Sequence, residues 1–183
     1  MNMNIYTPSI AIEHEISDFL QSSQGWWHSR RRYHYLTGDG STQDISSNLS
    51  ITYLDGGTDE LHTLSRMFLD SDAAPEFICG AILTWDSVDS ECMPVSSGRI
   101  VMGATAEQLY RDHGYATRSS VISDYTVCGP QLVLSSSYGG NSYLETIRLL
   151  DAEHRTRQTE AYRNGNLTMV GQYMEQRVSR QVT

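Results

Sequence analysis

Residues Tyr143 to Gln176 read YLETIRLLDAEHRTRQTEAYRNGNLTMVGQYMEQ. The spacing is that of strands, in which successive side chains point to opposite faces. Tyr143, Glu145, Ile147 and Leu149 then share one face, as do Arg155, Arg157 and Thr159, and as do Met169, Tyr173 and Glu175. Charged groups thus lie on faces otherwise occupied by Tyr, Ile, Leu and Met. Whether they meet depends on the turns, because a one-residue slip reverses every side chain. Asn164-Gly165 is the strongest turn signal in the chain. A two-residue turn there puts Arg155 and Glu175 on opposite faces. A three-residue loop, Arg163-Asn164-Gly165, pairs odd with odd and unites Arg155, Arg157 and Glu175. The same parity at Leu150-Asp151-Ala152 decides whether Glu145 joins them. Our reading takes both loops as odd and the cluster as internal. In the alternative, these charges pair with one another or face water.

Working outward, Ile12, Ile16, Phe19 and Leu20 have helical spacing and predict a helix over about Ile12 to Ser22. Strands follow at Trp26 to Leu36 and Ile45 to Leu54, and a short helix at Asp59 to Leu69. Further strands are expected at Phe77 to Trp85, Ser97 to Met102, Tyr115 to Val127, Gln131 to Tyr138, Ser142 to Leu150, Glu153 to Arg163 and Leu167 to Val178. Ala104 to Arg111 reads as a brief turn or strand. Serial short strands separated by Gly, Asn and Asp predict an antiparallel meander, hence a mainly β barrel or sandwich. No internal repeat or linker interrupts residues 1–183, which read as one domain.

Composition excludes several classes. A chain of 183 residues, 39% hydrophobic, can fill one core or enclose one cavity. No apolar run approaches the roughly 20 residues of a membrane span, and Met1 to Ser9 lack the pattern of a secretory signal. A net charge of −9 argues against nucleic-acid binding. All 13 basic residues are Arg, so Schiff-base and P-loop lysines are excluded. The three cysteines, Cys79, Cys92 and Cys128, have no metal or disulfide spacing, which suggests a reducing compartment. No nucleophile elbow surrounds Ser135-Ser136-Ser137.

An internal cluster has a definite chemistry. Two guanidinia two residues apart suit carboxylates, which they grip in bidentate fashion. Buried carboxylates beside them accept N–H bonds or hand over a proton. A greasy ligand with both acidic and N–H groups fits, and an open-chain tetrapyrrole is one such molecule. Arg31 shares a strand face with Trp27, Tyr33 and Tyr35 and is a further ligand candidate, whereas Arg30 and Arg32 read as solvated. Arg30, Arg32 and Arg111 together could form a local basic patch. Trp85 either stacks on a conjugated ligand or fills core, and one of Trp26 and Trp27 is expected to pack at a barrel end.

Gly25-Trp26-Trp27-His28-Ser29-Arg30-Arg31-Arg32-Tyr33-His34-Tyr35-Leu36 resembles the opening strand of the S/U-type (CpcS/CpeS-like) phycobiliprotein lyases. Leu109-Tyr110-Arg111-Asp112-His113-Gly114-Tyr115-Ala116 is similar to that family's L-x-R-x-x-G-Y-A stretch. Glu145-Thr146-Ile147, Arg155-Thr156-Arg157 and Met174-Glu175-Gln176-Arg177 resemble its E-R-I, R-L-R and closing E-x-R. The chain departs from the pattern at Glu91 and Arg148, where many members carry Trp, at Glu153-His154 before Arg155, and in the loop between Val88 and Gly98.

The resemblance implies a ten-stranded antiparallel barrel, like lipocalins and fatty-acid-binding proteins, with an N-terminal helix. It implies a lyase that binds a bilin, phycocyanobilin or phycoerythrobilin, as substrate. The bilin is delivered to a Cys of an apo-phycobiliprotein subunit, with no prosthetic group of the lyase's own. By carry-over, Glu145 and Glu175 are catalytic, serving the pyrrole nitrogens. Arg31, Arg155 and Arg157 serve the propionates, with Thr159 and Trp85 also lining the ligand site. A related subunit or a second copy is a further partner, and the setting is cytoplasm, or plastid stroma in an alga. Two rival readings stand beside it: a lipocalin-like carrier without transfer activity, and an accessory half of a heterodimeric lyase.

Overall fold

Ten strands pair each with the next, and the last returns to the first, closing an antiparallel barrel with no free end to the order β1–β10–β9–β8–β7–β6–β5–β4–β3–β2. They are β1 Gly25–Tyr35, β2 Thr42–Asp55, β3 Cys79–Asp89, β4 Pro94–Ala104, β5 Gln108–Arg111, β6 Val121–Cys128, β7 Gln131–Tyr138, β8 Asn141–Leu149, β9 His154–Arg163 and β10 Asn166–Val178. Two helices accompany them, α1 Pro8–Ser23 and α2 Asp59–Arg66. The structure is a computed structural model and describes residues 8–69, 74–114 and 117–179, with side chains from residue 15 onward. Met1 to Thr7, the Tyr115 start expected for β6, and the Ile12 side chain lie outside the described residues. Helix α1 begins four residues earlier than the apolar spacing indicated, and β6 begins at Val121.

The hairpin between β9 and β10 corrects the expected loop. Arg163 pairs with Asn166, so the turn is the two-residue Asn164-Gly165. Both residues are left-handed, with φ of 51° and 76°, as a type I′ turn requires. Parity is restored two pairs later. The register shifts between Leu167 and Met169, so Thr168 is the extra residue of a β-bulge. Its Oγ1 donates to the carbonyl of Ala161 at 2.9 Å. Beyond the bulge, Met169 faces Ala161 and Glu175 faces Arg155. The expected grouping forms, but by a bulge rather than an odd loop. Between β8 and β9 odd residues do pair with odd, Glu145 with Thr159 and Leu149 with Arg155.

The two ends of the barrel differ. Helix α1 closes one end, burying Ile16, Phe19 and Leu20 against Trp27, Leu49, Ile51, Ala81, Leu109 and Leu132. Each fully buried aliphatic or aromatic side chain of this kind contributes about 1.5–3 kcal/mol. Arg177 fastens the helix end, since its guanidinium donates to the carbonyls of Ser22 and Gln24, where the negative end of the helix dipole also favours a cation. Trp27 is fully buried, donates Nε1–H to the Ser23 carbonyl at 2.9 Å, and has the guanidinia of Arg155 and Arg177 at 4.5 and 4.3 Å from its ring centre. Helix α2 packs outside the barrel, its Leu61 and Leu64 against Leu54 and Val101. The opposite end carries the turns between β1 and β2, β7 and β8, and β9 and β10, and stays open.

Gly165→Ala places a Cβ in a left-handed conformation and is expected to lower stability by about 1–2 kcal/mol in urea unfolding. Deleting Thr168 should be far worse, because Glu175 would then turn outward. A folded Thr168 deletion of native stability would refute the bulge's role in setting parity.

Candidate functional site

Side chains entering the lumen form layers defined by the cross-strand pairs. At the closed end, Trp27 faces Leu49 and Leu49 faces Trp85. Above it, Ser29 faces Ser47 and Glu175, Ser47 faces Ser87, and Glu175 faces Arg155. In the third layer Arg31 faces Tyr173, and Tyr173 faces Arg157. In the fourth, Tyr33 faces Gly171, Gly171 faces Thr159, and Thr159 faces Glu145. The apolar core stops at the first layer because the next inward positions are small: Ser29, Ser47, Ser87, Ser123 and Ser136 are all buried. Beyond this layer, at the open end, lies a cavity of about 370 Å³, walled by Arg31, Tyr33, Tyr143, Glu145, Arg157, Thr159 and Tyr173.

The charges within are paired across strands. Arg155 Nε donates to Glu175 Oε2 at 2.5 Å, with both side chains buried. Arg157 Nη2 donates to Glu145 Oε2 at 2.5 Å, and Arg111 Nη1 to Glu145 Oε1 at 3.3 Å. Arg111 also donates from Nη2 to Ser123 Oγ at 3.2 Å and Ser136 Oγ at 3.4 Å. Arg31 donates to Ser87 Oγ at 2.9 Å, which meets Ser47 Oγ at 2.8 Å. Tyr33 and Tyr173 join through their hydroxyls at 3.0 Å, and Arg157 lies 5.1 Å from the Tyr173 ring centre. Burial alone would push the Glu145 carboxyl up, but the Arg157 and Arg111 guanidinia outweigh it and hold the value below the usual carboxylate range. Burial raises the Tyr173 phenol, which therefore stays protonated.

Arg31, Glu145, Arg157 and Thr159 thus line the cavity, while Arg155 and Glu175 lie one layer deeper. Trp85 points inward but packs partly buried against the apolar cluster. A Cβ at Gly98 would come within 2.5 Å of its ring, so only glycine admits it there. Arg30 and Arg32 are exposed, and Arg32 pairs with Asp44 at 2.6 Å. The reading of Arg111 as part of a surface basic patch is corrected: it is 1% exposed and holds Glu145 from behind. Its signal was the alternation of Leu109 and Arg111 against Gln108 and Tyr110 in β5. Cys79, with its thiol pushed up to about 11 by burial, sits in the apolar core. Among the described residues no cluster of His, Cys, Asp and Glu could hold a metal ion, and no helix is long and apolar enough to cross a membrane.

Residues 15–178 match the family model described as CpeS-like protein. A Nostoc protein named "Putative phycocyanobilin lyase CpcS 2" is 38% identical over 168 residues, covering 91% of this chain and 92% of its own length. A Picosynechococcus protein named "Putative chromophore lyase CpcV" is 32% identical over 182 residues, covering 97% and 86%. Among solved structures, the S-type phycobiliprotein lyase CPES from Guillardia theta superposes with a TM-score of 0.71 over 96% of this chain and 99% of that one, at 16% identity. That likeness is one of fold.

The fold favours the ionised form of Glu145. Its contribution to stability is therefore complete above the ordinary carboxylate range and is lost only as pH falls through its depressed folded value. Glu145→Gln leaves Arg111 buried beside a neutral amide, which should cost about 3–5 kcal/mol near neutrality. Thermal melts from neutral to acid pH should show a lower and flatter profile for this variant. Profiles parallel to the wild type would contradict the charge assignment.

Proposed function

The chain belongs to the CpeS-like family, and on that footing we propose that it is a phycobiliprotein chromophore lyase. It binds a linear tetrapyrrole in the open end of the barrel and promotes its thioether attachment to a cysteine of an apo-phycobiliprotein subunit. One observation carries the ligand class. Four guanidinia, those of Arg31, Arg111, Arg155 and Arg157, surround the cavity and the layer beneath it, against the two carboxylates of Glu145 and Glu175. The formal surplus is two positive charges, and a bilin carries two propionates. Two propionates give each of the cavity-wall guanidinia, Arg31 and Arg157, a ligand carboxylate, whereas a mono-acid serves only one of them.

Roles follow from position. Arg31 and Arg157 on the cavity wall take the propionates, with Arg155 reinforcing from below. Tyr33, Tyr143 and Tyr173 give flat apolar walls to the conjugated rings. The ionised Glu145 accepts pyrrole N–H bonds and balances the charge of a protonated tetrapyrrole. Glu175 serves the same nitrogens from the deeper layer. Protonation makes the ethylidene carbon of the outer ring a better electrophile. The acceptor's thiolate sulfur bonds to that carbon, the π pair of the ethylidene double bond moves into the ring system, and a proton is taken up there. The nucleophile belongs to the acceptor, so the chain needs neither Lys nor a reactive Cys of its own. Holding one face of the ligand to the barrel wall fixes the face open to attack. The natural setting is wherever phycobiliproteins are made, cytoplasm or plastid stroma.

The departures from the family pattern do not touch the cavity. Glu91 and Arg148 are both exposed, so neither argues for a decayed pocket and a merely accessory role.

Co-expression with a bilin-producing pathway and single phycobiliprotein subunits should yield a covalent, zinc-fluorescent adduct on one acceptor cysteine. A coloured barrel with no adduct would reduce the reading to a carrier, and a colourless one would refute it. Arg31→Gln and Arg157→Gln should each weaken bilin binding about ten- to hundredfold, the worth of a charged hydrogen bond. Glu175→Gln should slow transfer about tenfold or more while changing bilin affinity less. Equal losses in both would remove Glu175 from the proton chemistry.

A further inference from the structure

We infer that Arg111 is the positioning residue for Glu145, fixing the orientation and charge of the carboxylate that meets the tetrapyrrole while Arg157 is released to the ligand. The inference rests on the bilin reading above. The two guanidinia on Glu145 are not equivalent. Arg157 comes from β9 on the cavity side, and its side chain keeps 11% exposure. Arg111 comes from β5 on the far wall, at 2% side-chain exposure. It is held there by Ser123 of β6 and Ser136 of β7, so a ligand in the cavity reaches Arg157 but not Arg111.

This asymmetry matters when a propionate arrives. Arg157 is the nearer cation, and any contact it makes with the ligand weakens its hold on Glu145 Oε2. A buried carboxylate stripped of its cation takes up a proton. Arg111 remains on Oε1 and prevents that, so Glu145 stays an acceptor for pyrrole N–H groups throughout binding. The other ionisable groups on the cavity wall are Arg31, Tyr33 and Tyr35 of β1, Tyr143 of β8 and Tyr173 of β10. All lie on the cavity side, so none replaces a cation behind the carboxylate. The fork of a guanidinium is also needed, because one side chain must serve Glu145 and both serines at once, which a lysine ammonium does with poorer geometry. The brief strand β5 exists to deliver two inward side chains, Leu109 to the core and Arg111 to Glu145.

The test uses the full chain with Arg111→Gln, Arg111→Lys, Glu145→Gln and the Arg111→Gln/Glu145→Gln double variant. Without ligand, thermal melts are recorded from neutral to acid pH. The acid limb should move to higher pH in Arg111→Gln, and the Arg111 substitution should leave the profile of Glu145→Gln unshifted. A purely structural role would lower every melt without moving the limb, and that outcome overturns the inference. With phycocyanobilin as probe, the bound pigment's protonated-form absorption should be steady across neutral pH in the wild type and pH-dependent in Arg111→Gln, with Arg111→Lys between them. Acceptor labelling should fall about tenfold in Arg111→Gln and less than about threefold further when that change is added to Glu145→Gln. Full multiplication of the two losses overturns the inference. If Arg111→Gln does not fold, Arg111→Lys carries the same readouts, and wild-type pH behaviour in it is fatal. A wild type that binds no phycocyanobilin refutes the functional reading alone, since the ligand-free melts still decide the link between Arg111 and Glu145.

Discussion

The interior depends on β9. This strand sends Arg155 and Arg157 into the lumen side by side, and each meets a carboxylate from a different neighbour, Glu175 of β10 and Glu145 of β8. An unmatched buried charge costs several kcal/mol, enough to consume much of the stability of a domain this size. The pairs are therefore a condition on the sheet. β8, β9 and β10 have to be in the one register that brings all four side chains to the same side. The bulge at Thr168 is the device that makes an otherwise even hairpin meet that condition.

Below the charges the barrel is an ordinary core, and above them it is a container. The switch is made by side-chain volume. Serines on β1, β2, β3, β6 and β7 stand at inward positions where Leu or Val would have filled the lumen. Hydroxyls of Ser87, Ser123 and Ser136 also accept from Arg31 and Arg111, so these small inward residues orient the cations as well. The apolar burial forgone there is offset at the closed end, where α1 and Trp27 seal the sheet. Trp27 links the two regions, its ring in contact with Arg155 of the charged layer and with Arg177, which holds the helix.

Much of this was legible in the chain. The alternation of Trp27, Ser29, Arg31, Tyr33 and Tyr35 reads directly as an inward face, and the odd-numbered charges of β8 to β10 point to a shared lumen. What alternation cannot give is the register between strands. Asn164-Gly165 argues for a two-residue turn and the charge cluster for odd parity. Both are right, because a bulge costs one unpaired residue and has no composition of its own. Arg111 was misread for a different reason. The alternation of Leu109 and Arg111 spans only four residues, and an Arg beside Asp112 and His113 looks like surface. Only closure of the sheet, which sets β5 between β4 and β6, turns it inward. Trp85 leaves ligand stacking and core filling open in the sequence; it packs against the core, over Gly98, whose missing side chain makes room for the ring.

The contrast between inside and outside has its own consequence. The chain carries a net charge of −9, yet the lumen holds two guanidinia more than carboxylates. The negative excess therefore lies outside the lumen, and an anionic ligand is drawn to the open mouth, where low-dielectric walls focus the field. Selection by charge thus precedes selection by shape. The same arrangement explains how a chain without lysine or an exposed catalytic nucleophile in its pocket can still promote a reaction. Its contribution is a fixed set of charges around a ligand whose own protonation state governs its reactivity, and preorganised charges in a dry site are worth more than the same groups in water.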